Sequence, residues 1–245
     1  MGSRGKYDTE FYAWQAQPAR TSATVMVPLI LEAVGPVGSV LDVGCGMGAW
    51  LATWADVGIE DYFGVDGDYV KRAGLLVPSQ HFEAHDLRAP LDLGRRFDLV
   101  TSFEVAEHLP EELADRFVDS LVRHGDVVVF SAAIPGQGGV GHVNEQWQTH
   151  WERKFADRGL EAHDDLRWKV WEDPRVEFWY AQNTVLYARP GLVTSAPSHP
   201  FDVVHPGYEE HQRMLPMKWK LWEAMPEGFR KHARDVRRRL HKPRV

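Results

Sequence analysis

The chain has 245 residues, 44% hydrophobic and 26% charged, a balance that can bury a proper core in one large α/β domain with an extension. No run of about 18 apolar residues occurs, so a membrane span is not expected, and the first residues lack an apolar signal core, so a cytoplasmic protein is expected. Its one cysteine, Cys45, allows no internal disulfide and no structural zinc cluster. The net charge of −7 is unevenly placed: residues from Lys218 onward carry +7 and the remaining body −14. An acidic body with a basic tail is not the footprint of a protein that wraps nucleic acid, so a nucleic-acid partner is not expected.

In chain order, Ser22 to Val34 reads as a helix that Pro28 either kinks or begins. Ser39 to Val43 is a short buried strand that runs into the glycine loop Gly44-Cys-Gly-Met-Gly48. The helix after it carries Trp50, Leu51, Trp54 and Val57 at helical spacing and closes at Gly58. Asp61 to Val65 is a second strand ending at Asp66, and His81 to Ala84 a third ending at His85-Asp86. Phe97 to Phe103 is a fourth, followed by an amphipathic helix over 111–122. Asp126 to Ser131 is a fifth, apolar in its middle as a central parallel strand should be.

Alternation of strand and helix over residues 22–131 predicts a parallel, doubly wound sheet. A loop rich in glycine, Pro135 to Gly141, then leads to a helix over 147–158. Strand-like stretches follow near Leu160–Trp171 and Phe178–Ala188. Residues 190–217 read as irregular, and 218–240 as a basic amphipathic helix with Trp219, Leu221, Trp222 and Phe229. The expected organisation is an N-terminal helical lid segment over 1–35, a cofactor-binding domain over 36–190 and an extension over 191–245.

In open α/β sheets, ligands sit beyond the carboxyl ends of the strands. Gly44, Gly46 and Gly48 lie at such an end, where absent side chains let backbone approach a ligand and helix N–H groups follow at once. Asp66 ends the second strand, where a carboxylate can accept both ribose hydroxyls. Asp86 ends the third, where it can accept an adenine amine. The glycine loop alone fits either a dinucleotide or another adenosine cofactor, because Gly44, Gly46 and Ala49 also satisfy the dinucleotide fingerprint. An oxidoreductase or a non-catalytic cofactor-binding module is therefore an open alternative at this point.

The two readings are separated by resemblance. Val40-Leu-Asp-Val-Gly-Cys-Gly-Met-Gly48, Phe63-Gly-Val-Asp66-Gly-Asp68, Ala84-His-Asp86-Leu87 and Phe97 to Leu109 resemble, in order, four motifs of class I S-adenosylmethionine-dependent methyltransferases. The resemblance covers roughly residues 36–190. It implies a Rossmann-like, doubly wound, mostly parallel seven-stranded sheet with helices on both faces, and S-adenosyl-L-methionine as cofactor. It also implies that Gly44, Gly46 and Gly48 cradle the methionine part, Asp66 the ribose, and Asp86 with Leu87 the adenine, with Asp42, Cys45 and Gly67 also among the cofactor-binding residues. Phe103 and Glu104 would border the sulfonium end. In similar enzymes an N-terminal segment closes over the cofactor, which makes Arg20 a candidate partner for the methionine carboxylate and Tyr12 a lid contact.

Methyl transfer to a hydroxyl needs positioning and a route for the proton. Glu104, Glu107 and His108 follow the fourth strand and His142 follows the fifth. Either histidine can serve as general base, with Glu104 as a third catalytic candidate. Alternatively Glu104, Glu107, His108 and His142 hold a divalent metal, for which mixed N/O ligands suit Mg, Mn or Fe. That pattern resembles metal-dependent small-RNA 2′-O-methyltransferases and ubiquinone-pathway O-methyltransferases. The glycines of 135–141 suggest a mobile lid, and Trp147, Trp171 and Tyr180 are candidates to wall an acceptor pocket. The expected acceptor is a small hydroxylated natural product or saccharide, with RNA ribose as the alternative. The tail run Arg230 to Arg239 reads as a solvated helix face, as a docking element for the acidic body of a second copy in a homo-oligomer, or as a contact for RNA phosphates.

Overall fold

The computed structural model describes residues 4–193, 195, 197–199 and 202–213, with side chains from Gln17 onward. The proposed basic helix over 218–240 lies outside the described residues. Strands β1 (Ser39–Val43), β2 (Asp61–Asp66), β3 (Phe82–Ala84), β4 (Leu99–Phe103), β5 (Val127–Ser131), β6 (Glu161–His163) and β7 (Val185–Ala188) form one seven-stranded sheet. Its order is β3-β2-β1-β4-β5-β7-β6. The first five strands are parallel, whereas β7 runs antiparallel to both β5 and β6. The expected mostly parallel, doubly wound architecture is what the chain forms.

Helices cover both faces, which is why β4 and β5 are buried along their whole lengths. On one face α1 (Arg4–Val34), α2 (Ala49–Asp56), α5 (Asp165–Val170) and α6 (Phe178–Asn183) pack Met26, Ile30, Trp50, Trp54, Leu166 and Tyr180 into a single core. On the other, α3 (Ala114–His124) and α4 (Gln148–Ala156) pack Phe117, Leu121, Trp151 and Phe155 against Leu41, Val100 and Phe130.

Three expectations about elements change. The first helix begins at Arg4 and contains both Pro18 and Pro28, so Pro28 does not begin it. The stretch 160–171 is strand only through His163 and then turns into α5, and 178–188 is α6 before it becomes β7. In both cases a run of mixed apolar and aromatic residues fits either period, and tertiary packing decides. Residues 206–213, read as irregular, are helical.

One buried ion pair fastens the β6–α5 corner to α6. Arg167 is 0% exposed, its guanidinium gripped by both oxygens of Asp164 and donating a 3.0 Å bond to the carbonyl of Gln182. Removing one partner strands a charge in the core. Asp164→Ala is expected to lose about 3–5 kcal/mol of unfolding free energy in urea titration, because the guanidinium stays buried without its carboxylate.

Candidate active site

The strand register sets the site. Parallel pairing places the ends of β1, β2, β3 and β4 along one edge of the sheet, and antiparallel β7 starts at that same edge, with Val185 opposite Phe130. Gly44, Asp66, Asp86, Glu104 and Asn183 therefore emerge together from distant parts of the sequence.

The glycine loop turns sharply as β1 ends. Gly44 has φ 84° and its N–H, with that of Cys45, donates to the carbonyl of Val65. A Cβ on Gly44 would lie 2.3 Å from Val105, so no side chain fits there. Gly46, at φ 52°, meets nothing within 4 Å where a Cβ would stand, so backbone faces open space. Asp66 is buried at the end of β2 and accepts from Gly46 N–H at 2.7 Å, Gly67 N–H at 2.6 Å and the Tyr69 hydroxyl. Burial raises its carboxyl above the usual range. Asp42 is buried too. Thr101 donates to its Oδ1 at 2.8 Å while Oδ2 has no hydrogen-bond partner, and burial pushes this carboxyl up to about 7. Burial also pushes the Cys45 thiol well up.

The remaining residues expected to bind cofactor fall as follows. Asp86 lies two residues beyond β3, half exposed and paired with the Arg88 guanidinium at 2.7 and 2.8 Å, and Leu87 packs beside the second core. Arg20 lies along α2, donating to Ala49 O at 3.3 Å and Thr53 Oγ1 at 2.7 Å and pairing with Asp56. Tyr12 belongs to α1, its side chain outside those described. Phe103 stacks on Trp50 with centroids 3.8 Å apart, and Tyr180 stands edge-on to both. Trp171 packs on Trp168 and His205.

Glu104 directly follows β4 with φ 55°, the one positive φ outside glycine among the described residues. Such a conformation in a non-glycine residue is held by its surroundings. Its N–H donates to Ser131 O and Oγ at 3.0 and 3.1 Å, and its carboxylate accepts from Gln137 at 2.9 Å and Asn183 at 3.1 Å. Burial pushes this carboxyl up to about 7. Glu107 is fully buried and neither carboxylate oxygen has a hydrogen-bond partner; burial, then the neighbouring Glu104 charge, raises its carboxyl well above the ordinary value.

His142 lies between two acids. Its Nδ1 is 2.8 Å from Glu145 Oε1 and its Nε2 4.0 Å from Glu107 Oε1. The His108 ring stands edge-on to it at 4.9 Å, and ligand atoms of Glu107, His108 and His142 all lie within 4.8 Å of one another. Three of the four expected metal ligands are thus brought together. Glu104 is not in that set; its carboxylate accepts from Gln137 and Asn183. The helical residues 206–213 lie over the glycine-rich loop, where Gln212 donates to Gly136 O and Gln137 O.

Sequence reasoning missed Glu145, Gln137, Asn183 and Trp50 as parts of this site. Only Glu145 had a nearby signal, a carboxylate three residues after a candidate histidine. The others arrive through folding over long separations.

Comparison with known proteins bears on the family and the fold. Residues 15–175 match the family described as a methyltransferase domain. No curated protein matches the sequence. In fold the chain is similar to DesVI of Streptomyces venezuelae, with TM-score 0.58 and 17% identity over 77% of this chain and 99% of that one. It is also similar to the sugar N-methyltransferase KedS8 from Streptoalloteichus sp ATCC 53650, with TM-score 0.56 and 20% identity over 77% and 94% of the two chains. A putative O-methyltransferase from Nostoc punctiforme PCC 73102 is similar with TM-score 0.56 and 16% identity, over 74% of this chain and 59% of that one. A family match over most of the chain and the 3-2-1-4-5-7-6 sheet place it together: the chain belongs to the class I S-adenosylmethionine-dependent methyltransferases.

Proposed function

We propose that the enzyme methylates a hydroxyl of a small acceptor, a natural product or saccharide, with His142 as general base. The observation that carries this reading is the 2.8 Å contact between His142 Nδ1 and Glu145, which orients the ring and leaves Nε2 to take a proton. Bound S-adenosylmethionine supplies a methyl group made electrophilic by its sulfonium. The residues present fit that group: Gly46 offers open backbone, and the free Oδ2 of buried Asp42 is an acceptor waiting for a donor. Gly44, Gly46 and Gly48 would hold the methionine part, Asp66 and Gly67 the ribose, Asp86 and Leu87 the adenine. Phe103 and Glu104 would border the reacting end. Asp66 would then exchange its contacts with Gly46 and Tyr69 for ribose hydroxyls.

The similar folds include a sugar N-methyltransferase and a putative O-methyltransferase, which supports a small polar acceptor and leaves the acceptor atom to experiment. A second reading has a specific observation behind it. A divalent cation on Glu107, His108 and His142 would relieve the unpartnered Glu107 carboxylate and polarise the acceptor.

His142→Ala should lower methyl transfer to the best acceptor in a panel of hydroxylated and aminated saccharides by about 100-fold or more, while calorimetry finds S-adenosylhomocysteine affinity intact. Full turnover in that variant rejects the base. Exhaustive chelation separates the two readings: activity persists if His142 acts alone, and is lost and restored by Mg, Mn or Fe if the metal reading holds. Asp66→Ala should weaken S-adenosylhomocysteine binding about 10-fold, as expected for losing charge-assisted hydrogen bonds to the ribose. Unchanged affinity removes Asp66 from the ribose site.

A further inference from the structure

Three donors converge on one carboxylate in the loop that follows β5. Glu145 Oε2 accepts from Gly136 N–H at 2.7 Å, and Oε1 accepts from Gly138 N–H at 2.7 Å and from His142 Nδ1 at 2.8 Å. The loop can aim both amides inward because Gly136 and Gly138 have φ 82° and 70°, a region other residues rarely adopt. The same loop rests on the histidine ring: a Cβ on Gly139 would lie 2.1 Å from His142 Nε2. It also carries Gln137 to the Glu104 carboxylate.

A carboxylate that already accepts from two amides takes a third bond as acceptor, so the proton of the contact with His142 sits on Nδ1. Were the loop to lift, Glu145 would lose two of its three donors and the ring would lose the backbone packed on it.

We infer that Glu145 is a positioning residue that makes closure of the 135–141 loop and orientation of His142 a single event. The catalytic meaning of this latch rests on the reading of His142 as base, but the latch itself can be tested without an acceptor. In the full-length chain, imidazole nitrogen NMR should find His142 as the Nδ1–H tautomer, and the Gly136 and Gly138 amides should exchange slowly. In Glu145→Ala those amides should exchange at least about tenfold faster, as expected when a local opening becomes easier, and the tautomer preference should be lost. Glu145→Gln leaves one carbonyl oxygen where three donors meet, so its N–H₂ opposes at least one of the Gly136 and Gly138 N–H groups, and that amide should exchange faster than in the unaltered protein. Gly139→Ala leaves Glu145 in place and crowds Nε2; it should also speed exchange at Gly136 and Gly138. An Nε2–H tautomer in the unaltered protein, or loop exchange within about twofold of it in either alanine variant, overturns the latch. If these signatures appear while His142→Ala retains turnover, the latch stands and the base assignment falls.

Discussion

One carboxylate at the end of β4 holds the site together. Glu104 takes a left-handed backbone conformation, anchored by Ser131 at the end of β5, and turns its side chain toward amide groups from two other segments. Gln137 comes from the glycine-rich loop and Asn183 from the end of α6. Gln182 adds a bond to the Gln137 side chain and accepts from the His205 N–H, drawing in the segment before the final described helix. A charge or a near-neutral acid kept from water is tolerable only when its hydrogen bonds are met. Glu104 meets that condition with donors that also define the walls around it.

Next to it, Glu107 does not. Its carboxylate is fully buried, lacks donors and lies 4.0 Å from His142. A buried acid without hydrogen-bond donors costs stability. Glu104 is thus satisfied by protein donors, whereas the neighbouring Glu107 carboxylate lies beside the His108 and His142 rings. An aromatic layer of Trp50, Phe103 and Tyr180 borders the glycine loop and keeps this edge of the sheet low in dielectric, which strengthens each of these effects.

The fold supplies this chemistry through topology. Because β7 is inserted antiparallel between β5 and β6, its first residue stands at the carboxyl edge of the parallel strands. A seventh parallel strand would have delivered Asn183 to the opposite end. The buried Arg167–Asp164 pair and the carbonyl of Gln182 secure that same corner, so the stability of the β6–α5–α6 region and the shape of the site depend on common residues.

Much of the cofactor side was legible in residue order. A strand running into Gly44-Cys-Gly-Met-Gly48 and acids closing the next two strands follow from local patterns, since the ends of parallel strands joined by crossovers must share an edge. The period of 160–188 was not legible: short stretches holding Leu166, Val170, Tyr180 and Val185 suit helix or strand alike, and burial against α1 and β5 chose between them. Nor could local patterns show Arg20 lying along α2 beside Asp56, or Asp86 paired with Arg88. By itself, then, the sequence determined the sheet's leading half and its glycine loop, because those depend on near neighbours in the chain, while the class of cofactor came from the resemblance of four ordered motifs to a known family. Only the tertiary structure decided that Asn183 reaches Glu104 across 79 residues, and that Gln137 does so across 33. It also brought the loop amides and His142 onto Glu145, because such bonds exist only once the antiparallel strand and the glycine turns have set their donors in place.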